Sequence, residues 1–394
     1  MSLLPKVPRP TLAAVAALLL SAGIALAVPT RGAEPVSETM HQLARDVRAL
    51  LPLLYQPPGT PTMEDRALID DRIGSMLSHV EDLATTVAPR ADTYRISLDA
   101  LTDQLRQSRQ AFASGCDPQG MGLLRSATSV CATCHTQDER PARWLMPGSD
   151  HRGDPFIAGA FLFMTRQYDR AFGAYQSWLR QQPTLAYDDR TLNAFGRLLL
   201  TALQLRKSPD EIATLLSDFA RRDNINRALR KDLLDWIEGI GDLRETVDIG
   251  AHPDPATLES LARVWLGNGE QGGPAPILIP ERERPRIIWL RGELYRALME
   301  ESDRNRIADW LYWLALSDRV LEYRLYYSLA DMYLKQCMTE YRTDPMAPRC
   351  YREYENYLMF FYSGSGGTHI PEDLAAELEQ LKAGITLREE GQNR

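Results

Sequence analysis

Apolar residues recur at helical spacing along nearly the whole chain beyond residue 36. Met40, Leu43, Val47, Leu50, Leu51 and Leu54 keep to one side of a 3.6-residue turn, with Ser37 as a candidate cap. Gln56-Pro57-Pro58-Gly59 ends that run. A second stripe opens at Thr62 and carries Leu68, Ile69, Ile73, Met76, Leu77, Val80, Leu83 and Val87 before Pro89. A third starts near Asp92, with Tyr94, Leu98, Leu101, Leu105 and Phe112, and ends at Gly115. The fourth begins at Asp117-Pro118, a capping residue followed by proline at the first helical position, and runs through His135. Short connections favour antiparallel neighbours, so residues 36–140 are expected to form an up-down four-helix bundle. No stretch alternates with period two, and the expected fold class is all-α.

Residues 141–154 read as a linker, rich in proline and glycine and without periodicity. Residues 155–390 read as further helices, interrupted near Pro183, Ser208-Pro209, His252-Pro253, the Gly267 to Pro280 loop and Pro345 to Pro348. A chain of 394 residues is too long for one compact helical core, which points to two domains or a repeat array.

Composition narrows the function. A 44% hydrophobic, 25% charged chain is neither a disordered tail nor a polytopic membrane protein. A net charge of −8 without a Lys/Arg block argues against nucleic acid as partner. At the N-terminus, Lys6 and Arg9 precede an apolar run from Thr11 to Val28 that closes on Ala25-Leu26-Ala27, the pattern of a cleavable export signal over residues 1–27. A retained membrane anchor is the alternative. The absence of any cysteine before Cys116 excludes a lipoprotein anchor, and a periplasmic location is expected.

Cys131-Ala132-Thr133-Cys134-His135 is the strongest chemical signal. On a helix, positions 131, 134 and 135 share one side. Two thiols can therefore bond the vinyl carbons of one porphyrin while the adjacent imidazole meets the iron. Five Cys and six His in 394 residues would give this motif by chance on the order of once in a thousand such chains. A thioredoxin or zinc reading lacks the βαβ setting or a second Cys pair. Cys116, Cys337 and Cys350 lack the required neighbours, so one covalent haem c per chain is expected, held by Cys131 and Cys134 with His135 as the proximal iron ligand.

A haem motif ending about a hundred helical residues resembles the class II cytochromes c, four-helix bundles whose haem hangs from the last helix. The resemblance covers about a quarter of the chain. It implies a second axial ligand in the low-spin members, a methionine near the start of the first helix. In Ser37-Glu38-Thr39-Met40-His41-Gln42-Leu43 that residue is Met40. Core filling is the ordinary use of such a methionine, and His41, Met76, His79, Met63, Met121 or an open sixth position are the rivals. The segment from Thr136 to Arg140 is more acidic than the family's usual stretch after the histidine.

The segment with Gly159, Tyr168, Ala171, Tyr175 and Pro183 resembles a tetratricopeptide repeat, with Trp178 and Arg166 departing from the pattern. Weaker echoes follow at Phe195-Gly196, at Trp289 to Tyr295 with Ala308, and at Leu329 to Tyr333. Such arrays present concave surfaces to other polypeptides, although a plain helical domain supporting the bundle would carry similar residues. Cys337 and Cys350 flank the Pro345 to Pro348 turn and form a candidate disulfide in an oxidising compartment, leaving Cys116 over. The letters Gly267-Asn268-Gly269-Glu270-Gln271-Gly272 match a dinucleotide fingerprint but follow a helix, not a strand, and read as a loop.

The expected function is electron transfer by a periplasmic monohaem cytochrome. Its helical repeats would dock it to redox partner proteins, in a membrane-associated complex. A gas-binding haem sensor signalling through the repeats is the alternative. No catalytic constellation stands out, so no enzyme activity and no small-molecule substrate are expected.

Overall fold

The computed structural model describes residues 33–55, 61–87, 92–136, 153–267, 275–301, 303–321 and 328–392. The export signal, residues 141–152 of the linker and most of the glycine-rich 267–272 stretch lie outside them. Among the described residues the fold is all-α, apart from a two-residue hairpin pairing Ser363–Gly364 with Gly367–Thr368.

The first four helices are α1 (Ala33–Leu54), α2 (Met63–Val87), α3 (Asp92–Ala113) and α4 (Asp117–His135). Leu43, Val47, Leu50, Leu51 and Leu54 of α1 are all buried, as their spacing requires. Thr62 and Asp65 begin α2 reciprocally: the Asp65 amide donates to Thr62 Oγ1 at 3.1 Å, and the Thr62 amide donates to Asp65 Oδ2 at 2.9 Å. Helix α3 closes on Gly115, whose φ of +78° is the left-handed value a helix terminus favours. The Cys116 amide then reaches back to Ala111 O at 2.9 Å.

One expectation is corrected at the start of α4. Asp117 does not cap it: the cap position is Cys116, without a side-chain bond, and Asp117 lies in the first turn. Its buried carboxylate instead accepts from Arg66 on α2.

Side chains tie the four helices in a closed circuit. Asp46 on α1 accepts from Arg72 Nη1 at 3.1 Å and Ser75 Oγ at 2.7 Å on α2. Arg109 on α3 donates to Asp70 on α2 at 2.8 Å. Ser108 Oγ on α3 donates to Gly120 O on α4 at 2.9 Å, and Arg125 Nε on α4 donates to Leu54 O on α1 at 2.9 Å.

Beyond residue 153 come α5 (Pro155–Met164), α6 (Tyr168–Gln181) and α7 (Asp189–Leu200), the last running into a π turn at Thr201–Leu205. Then follow α8 (Pro209–Ala220), α9 (Arg227–Thr246), α10 (Pro255–Leu266), α11 (Arg284–Glu300), α12 (Arg304–Leu321), α13 (Ala330–Glu340), α14 (Ala347–Phe361) and α15 (Glu372–Gln392). Consecutive helices pack on each other. Gly159 of α5 lies under the Tyr175 ring of α6, where a Cβ would sit 3.0 Å from the ring. The turns after α6 and α8 meet through Leu185 and Ile225, with the Leu185 amide on Asn224 O at 2.9 Å.

The buried apolar residues of all these helices form one continuous core. Trp236, Trp289, Trp310 and Trp313 lie fully inside it. Charges are also buried there in matched sets. Arg291 Nε donates to Asp318 at 2.5 Å, and Asp318 also accepts from the Leu329 amide at 3.0 Å. Arg319 donates to Glu353 at 3.0 Å. Cys337 on α13 and Cys350 on α14 form a disulfide, with Cα atoms 6.4 Å apart. Not every aromatic of α14 is interior: Tyr351, Tyr354 and Tyr357 are buried, whereas Phe360 and Phe361, with Tyr362 just past the helix, are exposed. Among the described residues, no helix is long and apolar enough to cross a membrane.

Candidate functional site

Cys131, Cys134 and His135 occupy the last turn and a half of α4, and each is half-buried. The adjoining Val130, Ala132 and Thr133 are buried, which anchors this turn to the core. Burial pushes the Cys131 thiol up to about 12, reinforced by the neighbouring Cys134. Burial likewise lifts Cys134 to about 11, against a hydrogen bond with Ser97 of α3 and the nearby Arg166 cation. Both sulfurs are therefore protonated thiols at neutral pH.

His135 is held from both ends. Its Nδ1 meets the backbone carbonyl of Met164, the last residue of α5. Burial, then the Arg166 charge, lowers its pKa to about 4, while the bond to Met164 pulls the other way. At neutral pH the ring is neutral and carries one proton. A carbonyl only accepts, so that proton sits on Nδ1 and Nε2 keeps its lone pair. This is the tautomer an imidazole needs to ligate a metal while an outer partner fixes its orientation.

The carbonyl facing His135 follows from how α5 ends. Arg166 has φ of +61°, and its amide bonds to Phe163 O at 3.1 Å while the Gln167 amide bonds to Leu162 O at 2.9 Å. That is a Schellman turn. The Thr165 amide takes Phe161 O at 3.0 Å. The motif thus satisfies the carbonyls of residues 161, 162 and 163, and that of Met164 is the one turned to His135. Being the terminal carbonyl of a helix, it also carries the negative end of the α5 dipole.

The end of α4 is received by the same segment. Tyr168 Oη donates to His135 O at 2.9 Å, and Gln204 Nε2 donates to Thr136 O at 2.8 Å. Terminal carbonyls of a helix lack internal partners, so these two bonds complete α4. Around the joint, Tyr55 packs edge-on against Phe156 at 4.9 Å and Arg48 lies over Phe161 at 5.9 Å. Arg190 lies over Phe156 at 4.5 Å and Arg197 over Phe163 at 4.6 Å.

Met40 lies on α1, which Arg125 of α4 joins through its bond to Leu54 O. Met40 is half-buried against the core. Of its rivals, Met76 is fully buried in α2 and Met63 is 90% exposed. Met121 is half-buried, His41 lies 4.0 Å from Glu38, and Cys116 is exposed. Tyr168, Gln204 and the Met164 carbonyl did not stand out in the sequence as site residues. Tyr168 was visible only as a repeat position, and a backbone carbonyl leaves no sequence signal.

The donor set suits a covalently attached tetrapyrrole: two protonated thiols and an oriented imidazole with a free Nε2 lie on one short stretch of helix. Among the described residues, no group of three or more His, Cys, Asp or Glu gathers as a cage for a bare metal ion. The chain matches no family model, no curated protein and no solved structure.

Proposed function

We propose that this protein is an exported monohaem c-type cytochrome that carries electrons. Cys131 and Cys134 would hold the tetrapyrrole through thioethers, and His135 would ligate its iron. The observation that carries the reading is the contact of His135 Nδ1 with the Met164 carbonyl, directly beside two cysteines at CxxCH spacing. The bound group supplies an iron that takes up and releases one electron. The chain's own residues orient the imidazole, and α1, which is joined to α4, carries a methionine. Met40 is the proposed sixth ligand, which would favour a higher potential than a second histidine would. The helical repeats beyond residue 155 are proposed to dock redox partner proteins.

Mass spectrometry of the chain matured in a cytochrome-assembling host tests the reading. One tetrapyrrole mass is expected, lost in Cys131→Ala/Cys134→Ala. A chain purified without that mass overturns it. The spectrum of the loaded protein then tests the ligand set: low-spin ferric iron is expected in the wild type and high-spin in Met40→Ala. A ferrous wild type that readily binds carbon monoxide would instead favour the gas-binding reading.

A further inference from the structure

The part of the chain beyond residue 153 does more than follow the CxxCH helix. Met164, Tyr168 and Gln204 make three successive contacts with residues 135 and 136, coming from the end of α5, the start of α6 and the π turn after α7. Each of these anchors is itself fixed. Tyr168 is buried and packs edge-on against Phe163 at 5.5 Å. Gln204 is fully buried, and Gly292 of α11 lies so close that a Cβ there would meet Gln204 Cγ at 2.6 Å. The π turn is where a helix takes one extra residue per hydrogen-bonded loop, and it sets Gln204 between Gly292 and Thr136. The next residue along α11, buried Glu293, pairs with Lys207 at 2.8 Å, just past the π turn. The anchoring therefore extends into the interior of the helical array.

We propose that Tyr168 and Gln204 are positioning residues for the axial imidazole. By taking the last carbonyls of α4, they hold His135 so that its Nδ1–H meets the Met164 carbonyl. That hydrogen bond, at the negative end of α5, gives the ring anionic character and makes Nε2 a stronger donor. A stronger donor favours the oxidised iron, so the contact lowers the reduction potential. Loosening it should raise the potential.

The inference rests on the haem reading, and its test separates the two. Tyr168→Phe, Gln204→Leu and the double variant are made in the full chain and loaded with haem. Redox titration is expected to show a higher midpoint potential in each single variant and a larger rise in the double. Nitrogen NMR of the unloaded chain gives a second readout: His135 should be the Nδ1–H tautomer in the wild type and a mixture in the variants. A wild type without tetrapyrrole mass ends the haem reading. Attached haem with unmoved potential in all three variants overturns this inference alone. Lowered melting temperature with unmoved potential and tautomer would show a purely structural role, and also overturns it. Should Tyr168→Phe fail to fold, Gln204→Leu decides, since it leaves the aromatic packing intact.

Discussion

Gly239, midway along α9, shows how tightly single positions are set. A Cβ there would lie 2.0 Å from the backbone oxygen of Arg282. Neither backbone can yield without moving a helix, so Gly239→Ala should cost about 3 kcal/mol by overpacking, read as a lowered urea midpoint with unchanged slope. Asp331, in the first turn of α13, poses a different problem. Burial pushes its pKa up to about 6, Lys335 pulls it down, and Glu377 raises it again. Its Oδ1 has no hydrogen-bond partner. The folded form holds the proton more tightly than the unfolded chain does. Wild-type stability should therefore fall as pH rises from about 4 to 6 on this account. Asp331→Asn removes that dependence. At pH 7 the variant should be more stable by about 1–2 kcal/mol, partial solvent access limiting the gain, and the two should converge near pH 4. Thermal melts across that range check both the sign and the window. The letters show Lys335 one turn away but not the upward shift, which comes from burial and from Glu377 on α15.

Elements were more legible. The four stripes before residue 136 map onto α1 to α4 because one-sided apolar spacing is a direct consequence of helix geometry. Proline and glycine punctuation marked the breaks after α6, the π turn, α9, α10 and α13, whereas the breaks after α5, α8 and α11 carry neither residue and left no such signal. Asp117 misled because an Asp-Pro pair looks the same whether its carboxylate caps a helix or reaches Arg66 on a neighbour. Likewise, the CxxCH side of α4 was legible as a repeat of spacing, whereas the partner of His135 Nδ1 was not. That partner is 29 residues away and appears only when α5 ends in a left-handed turn at an arginine, not a glycine. The Cys337–Cys350 link joins α13 to α14 across a separation of 13 residues. Opening a loop of that size costs about 2–3 kcal/mol in the chain-entropy view. The Cys337→Ala/Cys350→Ala protein should therefore unfold at a lower denaturant midpoint.

At the scale of the molecule, one apolar core runs from α1 to α15, through the joint where Tyr55, Phe156 and Arg190 meet. A beaded pair of modules on a tether would melt in two steps. A shared core predicts a single calorimetric transition whose enthalpy matches the van't Hoff value. Two resolved transitions would refute it. The same joint has a temporal side. A ribosome delivers residues 131–135 before residues 164, 168 and 204 exist, so the contacts those later residues make with the end of α4 can close only after the first four helices are complete.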